Sequence, residues 1–238
     1  AKICGGVIGM PVYRMMYRKE GPARYMSHLD LLRTFERSAR RAGLPIAFTS
    51  GFNPHPKITF AAPLSVGTAG EAEFADLELT EDFTAIAVFN KLSGALPDGL
   101  SLTEVRKINR QSPSLMSLVE RATYRATGKL AAPLSSEDLQ LAIDAFLALP
   151  EIPVRRKNKA GGFKIYDIRP GIFDISGKLV EDIIVIETEL KTGSRDNIRM
   201  EEVMDAFVAH SKLPLQGKFS ISRTGLYRGE KSPQMLWQ

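Results

Sequence analysis

From Val12 onward the apolar residues switch repeatedly between the alternating spacing of a strand and the three-to-four spacing of a helix. Val12–Tyr17 (VYRMMY) reads as a strand, closed by a charged turn at Lys19, Glu20 and Gly21, and Arg24–Ser27 continues the extended chain. Ser27 is then placed as a helix N-cap, with Asp30 three residues on as a short-acid capping box. This helix runs to about Ala42, where Gly43 and Pro45 stop it. Leu31, Leu32, Phe35, Ala39 and Ala42 fall on one side of it, and Arg33, Arg37, Arg40 and Arg41 nearly opposite. One face packs and the other presents guanidinium groups.

Ile46–Thr49 and Ile58–Ala61 read as short strands, Ala72–Leu79 as an alternating strand, Phe83–Leu92 as a second helix and Leu102–Ile108 as a last strand. The order strand, helix, strand, strand, helix, strand is that of the ferredoxin-like split βαβ unit. Asn109–Ser117, polar and holding Pro113, reads as a linker. The same order then recurs more loosely. Arg121–Thr127 is a strand, Ser135/Ser136 cap a helix built on Leu139, Ile143, Phe146 and Leu147, and Val154–Arg156 with Lys164–Ile168 form a hairpin around Gly161–Gly162. Ile183–Leu190, Met200–Ala209 and Phe219–Leu226 supply strand, helix and strand. The expected fold is therefore α+β, two tandem ferredoxin-like (βαββαβ) domains with antiparallel sheets. Domain 1 is expected over residues 12–110 and domain 2 over 118–228, with an unstructured extension at 1–11 and a tail at 229–238. Met10 is expected to lie near the functional start, the first nine residues being an upstream extension.

Composition narrows the classes. At 44% hydrophobic and 25% charged residues the chain can bury a core. No apolar run approaches the roughly 20 residues that span a bilayer, so an integral membrane protein is not expected. Cys4 is the only cysteine, which leaves no thiolate set for a zinc site or an iron–sulfur cluster and points to a reducing, cytoplasmic setting. Net charge is +5, but the signs are segregated. Tyr13–Lys57 holds nine Lys/Arg against three acids, Glu71–Asp82 six acids and no base, and Val154–Arg169 six bases against Asp167 alone. Segregation of this kind draws a polyanion to one surface, although solvated faces of differing sign would give the same pattern.

Four stretches carry candidate chemistry. RYMSHLD (Arg24–Asp30) places Arg24, Ser27 and His28 at a helix N-terminus, an anion site if the N–H groups are free and a plain cap if Ser27 and Asp30 satisfy them. SGFNPHPK (Ser50–Lys57) sets His55 between two prolines, which stiffen the loop so that it can present Phe52 for stacking, His55 for a hydrogen bond or proton transfer and Lys57 for a phosphate, with Asn53 a further candidate binding residue. The alternative is a rigid connector with Phe52 plugging the core. RRKNKAGGFK (Arg155–Lys164) gathers Arg155, Arg156, Lys157, Lys159 and Lys164 beside Phe163, and the DIRP that follows sets Asp167 to pair with Arg169. Near the end, SISRTGLYR offers Arg223 beside Gly225.

Together, SHLD, GFNPHPK, the later DIRP and the terminal RTGL resemble the radical-SAM-linked protein family of unknown function, found stand-alone or fused to cobalamin-binding radical SAM proteins; the likeness spans about Val12–Leu226. The resemblance implies a radical SAM partner and a setting in RNA metabolism. It implies no cofactor in this chain, the partner carrying the iron–sulfur cluster, S-adenosylmethionine and cobalamin. The expected function is that of a non-catalytic accessory protein, binding structured RNA, transfer or ribosomal, for that enzyme. Two alternatives stand beside it. One is a metal-independent endoribonuclease using His28 and His55 with Lys57 or Arg24, which needs both imidazoles at one phosphate. The other is a protein-interaction module whose basic faces meet acidic patches.

Overall fold

The computed structural model describes residues 9–109, 111–158, 161–193, 197–229 and 236–237. These divide into two units: residues up to Val119 together with Leu236 and Trp237, and residues from Glu120 to Gly229. Lys159 and the first eight residues lie outside the described residues.

In the first unit, β1 (Val12–Lys19) is followed by a 3-10 turn at Gly21–Tyr25, α1 (His28–Arg41), β2 (Ile58–Phe60), β3 (Ala69–Glu78), α2 (Ala85–Ser93), β4 (Leu100–Ile108) and the short α3 (Leu115–Leu118). Its strands pair antiparallel in the order β4-β1-β3-β2. Because side chains alternate across a strand, Tyr13, Met15 and Tyr17 of β1 all point to the helices and are buried with Leu31, Phe35, Val88 and Leu92. Tyr17, Phe35 and Phe60 meet edge-on with centroids 5.1 to 6.2 Å apart, an arrangement their ring quadrupoles favour. The opposite face of β1 carries Val12, Arg14 and Met16. Arg14 is fully buried there, bidentate to Asp76 at 2.8 and 2.9 Å and donating to the Leu236 carbonyl.

The second unit runs β5 (Arg121–Leu130), α4 (Ser136–Leu147), β6 (Pro153–Lys157), β7 (Phe163–Asp167), β8 (Ile172–Val180), β9 (Ile183–Lys191), α5 (Met200–Ser211) and β10 (Leu215–Tyr227). Its main sheet is antiparallel in the order β10-β5-β9-β8. Phe146 of α4 and Phe207 of α5, 5.3 Å apart, centre its core. Both units are thus α+β with antiparallel sheets.

Four elements differ from the sequence expectation. Arg24 and Tyr25 end a 3-10 turn over Gly21–Tyr25, with Pro22 in its first turn, and do not continue the extended chain. Ile46–Thr49 is not a strand but two isolated bridges, Ile46 to Leu79 and Phe48 to Pro56. The supposed linker contains α3, whose Leu115 and Leu118 are buried. And the β6–β7 hairpin is a separate two-stranded sheet inserted before β8, a strand the pattern did not reveal. The register of β8 slips between Ile172 and Asp174, which spoils the alternation, and Gly177 interrupts it again. Gly177 has a packing reason: a Cβ there would stand 2.8 Å from Ile143 Cδ1, so its absence lets α4 lie on the strand.

Candidate nucleic-acid interface

Helix α1 folds as its pattern dictates. Leu31, Phe35 and Ala39 are buried, while Arg33, Arg37, Arg40 and Arg41 are all exposed. The four are not equivalent. Arg40 pairs with Glu36 at 2.7 Å, and Arg41 donates to Ser38 Oγ at 3.1 Å and to the Ala95 carbonyl at 2.7 Å. Arg33 lies near the Asp30 carboxylate. Among the described residues Arg37 has no hydrogen bond or ion pair.

The N-terminus of α1 is a cap. Ser27 Oγ accepts the Asp30 N–H at 3.2 Å and donates to Asp30 Oδ2 at 2.6 Å, a bond that holds the Asp30 carboxyl below its usual range. The helix end therefore already carries a carboxylate where an anion was expected to bind. Arg24 donates to the Gly67 carbonyl, and the His28 ring rests edge-on against Phe60 at 5.2 Å.

The motif loop stands at the other end of the helix. Thr49 N–H bonds the His55 carbonyl at 2.9 Å, His55 N–H bonds Thr49 Oγ1 at 2.9 Å, and Lys57 N–H bonds the Ala47 carbonyl at 2.8 Å. These rungs close a short hairpin, and Ala47 N–H fastens it to the Glu78 carbonyl at 2.8 Å. Gly51, at φ +124°, makes a bend at its tip that L side chains rarely adopt. Phe52 is fully exposed, not a core plug, and Asn53 and His55 are exposed beside it. Lys57 turns the other way, to Glu78 Oε1 at 3.0 Å. Arg40 lies 5.8 Å over the Phe48 ring at the base of this hairpin. The structure thus brings the arginine row and the motif loop together.

It does not bring His28 to His55. His28 sits by Phe60 and His55 by Phe48, the ring under Arg40. Twelve residues of helix between His28 and Arg40 rise about 18 Å, and the five-residue extended run from His55 to Phe60 covers about 16 Å. One phosphate cannot span that gap, so the two-imidazole cleavage site is not assembled.

In the second unit the basic residues separate into two groups. Arg155, Lys157 and Lys164 are exposed, with Arg155 stacked 4.3 Å from the centre of the exposed Phe163. Arg156 is turned inward, holding Glu202 at 2.6 Å and the Asn197 carbonyl at 2.9 Å with its face on Tyr166. Arg169 caps the end of α4 by donating to the Leu147 carbonyl at 2.7 and 3.0 Å. Asp167 accepts the backbone N–H groups of Ile152 and Arg169 in place of the expected side-chain pair. Arg223 is 1% exposed. The expectation that Arg156, Arg169 and Arg223 meet phosphates is corrected by these placements. Extended-chain parity could have separated Arg156 from Arg155, since adjacent strand residues face opposite ways.

Sequence reading missed a cleft of about 460 Å³ lined by residues of the first unit. Thr49, Pro56 and Lys57 of the motif loop's stem line one side, Asp76 and Glu78 of β3 its floor, and Ser112–Ser114 another wall. Among the described residues no group of three or more His, Cys, Asp or Glu could hold a metal ion, and no helix is long and apolar enough to cross a membrane.

An α+β chain of this kind, with a basic helix beside a proline-stiffened loop, can be placed among known proteins. It belongs to the family described as "Uncharacterized protein conserved in bacteria (DUF2344)", whose model matches residues 12–200. No curated protein matches it. Among solved structures it is similar to a chain of a Cbf5-Nop10-Gar1 complex, with a TM-score of 0.51 and 11% identity over 94% of this chain and 51% of that one. A chain of an H/ACA RNP bound to a substrate RNA containing 2'-deoxyuridine gives 0.46 and 10% identity over 93% and 50%. The chain spans about half the length of these relatives, and the first likeness is one of fold.

Proposed function

We propose that this protein binds structured RNA through the first unit's arginine-faced helix and motif loop. It would act as a recognition partner, without catalysis of its own, for a radical SAM enzyme in the cytoplasm. The observation that carries the reading is the union of an exposed cationic row, Arg33 and Arg37, with a fully exposed Phe52 on a loop held rigid by its own ladder. Guanidinium groups bind phosphates without regard to sequence, and an aromatic ring on a stiff loop stacks an unpaired base at little entropic cost. Arg155, Lys157, Lys164 and Phe163 repeat that chemistry on the β6–β7 hairpin.

The strand orders β4-β1-β3-β2 and β10-β5-β9-β8, each antiparallel and with a helix on either side of the central hairpin, support a tandem ferredoxin-like reading with β6–β7 as an insertion. The partner enzyme follows from the resemblance of SHLD and GFNPHPK to the radical-SAM-linked family, and it would carry the iron–sulfur cluster, S-adenosylmethionine and cobalamin. The deciding experiment is gel retardation of a folded transfer RNA at about 50 mM and about 200 mM salt, where phosphate-driven binding should be strong and then fall steeply. No retardation at the lower salt overturns the RNA reading and favours the protein-interaction alternative.

A further inference from the structure

Strand β8 lies at the end of the second unit's main sheet. It pairs with β9 on one side, and among the described residues no strand pairs with it on the other. The tight turn at Glu181–Asp182 makes Val180 and Ile183 the hydrogen-bonded closing pair of the β8–β9 hairpin. Alternation then turns the backbone groups of Lys178, Ser176 and Asp174 to β9, and those of Leu179, Gly177 and Ile175 to the free edge. A nine-residue edge of unpaired N–H and C=O groups is a template for another strand, and proteins commonly blunt such edges with proline or charge. β8 holds no proline, and its bulge lies at one end, between Ile172 and Asp174. Gly177 faces α4, so Asp174, Ser176 and Lys178 share the opposite face, and all three are exposed. Asp174 and Lys178 have no hydrogen bond or ion pair from their side chains among the described residues.

We propose that β8 is the contact surface for a second copy of this chain, the two strands pairing antiparallel about a two-fold axis at Ser176. Charge selects both the partner and the register. Across such an axis residue i meets residue j, and j meets i. An axis at Ser176 sets Asp174 opposite Lys178 of the second copy and Lys178 opposite its Asp174. An axis at Ile175 or at Gly177 leaves both charges facing uncharged residues. The Ser176 register also suits the backbone. Ile175 and Gly177 then lie opposite each other, both with outward groups, and exchange N–H···O bonds on either side of the axis. Asp174 and Lys178 fall in non-hydrogen-bonded pairs, where side chains approach most closely. A second copy accounts for opposite charges placed symmetrically about one residue, which a foreign strand does not require. The inference does not depend on the RNA reading, since none of these residues belongs to the surfaces proposed for it.

The test is sedimentation equilibrium of the full chain between about 1 and 100 μM, beside oxidative cross-linking. The wild type should pass from one to two chain masses over this range, a single strand edge being a small interface. Lys178→Asp sets like charges opposite one another and should raise the dimer dissociation constant about 10- to 100-fold. The double exchange Asp174→Lys/Lys178→Asp restores opposite charges and should return association to within about threefold of the wild type. Circular dichroism checks that each variant folds. Ser176→Cys in a Cys4→Ser background should cross-link to its copy under diamide, because the ~4.5 Å between Cα atoms of a non-hydrogen-bonded pair lies within disulfide range. Ser93→Cys, exposed on α2, is the control. A chain that stays monomeric throughout overturns the proposal. So does a dimer indifferent to Lys178→Asp, a double exchange no better than the single one, or equal cross-linking through positions 93 and 176.

Discussion

Arg40 holds its guanidinium 5.8 Å from the centre of the Phe48 ring, joining the end of α1 to the base of the motif loop. The contact sets the base of the loop that carries the fully exposed Phe52 beside the last turn of the arginine-faced helix. Phe52 has no packing role to lose. Phe52→Ala should therefore leave the melting temperature unchanged while weakening RNA affinity about 5- to 150-fold, which corresponds to the ~1–3 kcal/mol of one stacked base. Filter binding beside a thermal melt checks both halves.

Under the proposed RNA reading, Arg33 and Arg37 would supply the sequence-independent part of the binding. Arg33→Glu/Arg37→Glu should weaken all RNAs alike and reduce the slope of log affinity against log salt by about 2, roughly one phosphate contact for each cation removed. Affinity measured at four salt concentrations gives the slope. An unchanged slope would mean that α1 faces away from the RNA.

Arg156 should behave in the opposite way. Its partner Glu202 is 17% exposed and would be left without its main cation, while the Asn197 carbonyl would lose its donor. Arg156→Ala is expected to cost about 1–3 kcal/mol of stability, read from urea midpoints, with RNA affinity changed far less than by the Arg33/Arg37 pair.

That contrast shows what the sequence could carry. The face of α1 was legible because a helical period sorts residues by angle, and Arg33, Arg37, Arg40 and Arg41 all emerged on the solvent side. Phe52 was legible only as a choice between tip and core, which the Thr49–His55 rungs decide. Strand parity sets Arg156 opposite Arg155, but the partners of Arg156, Arg169 and Arg223 were not legible. Whether a guanidinium meets solvent or Glu202, the Leu147 carbonyl or a buried site depends on contacts 46 residues away in one case and 22 in another. The cleft was equally hidden, since it joins the motif loop's stem to β3 and to Ser112–Ser114. β8 was lost to a bulge and a glycine.

One pair gives a pH signature. Asp82 accepts from Lys107 Nζ at 2.5 Å and lies 3.0 Å from the Tyr13 hydroxyl, and these bonds, Lys107's first, lower its carboxyl below the usual range and raise Lys107. A depressed carboxyl contributes stability that is present above its unfolded value of 3.8 and lost as pH falls through the folded one. Asp82→Asn should therefore lower urea midpoints at pH 6, by a small amount because both side chains are exposed, and this deficit should shrink as pH falls below 3.8. A larger deficit at pH 2 than at pH 6 would contradict the assignment.

The tail segment gives the sharpest stability test. Leu236 is fully buried against the first unit, and its carbonyl takes a bond from Arg14, itself fully buried and held by Asp76. Next to it Trp237 meets Phe74 edge-on at 5.2 Å and lies 4.5 Å below the Arg106 guanidinium. Leu236→Ala keeps the backbone bond to Arg14 but removes the buried isobutyl group, so it should cost about 2–5 kcal/mol if the segment is integral to this sheet face. Trp237 is the chain's only tryptophan, so its fluorescence reports this contact alone. In the native protein its emission should lie to the blue of the urea-unfolded chain, and Leu236→Ala should move it toward the unfolded value at a lower urea concentration than the wild type. A variant that keeps both the wild-type midpoint and the wild-type emission would show that Leu236 and Trp237 do not hold this face in solution.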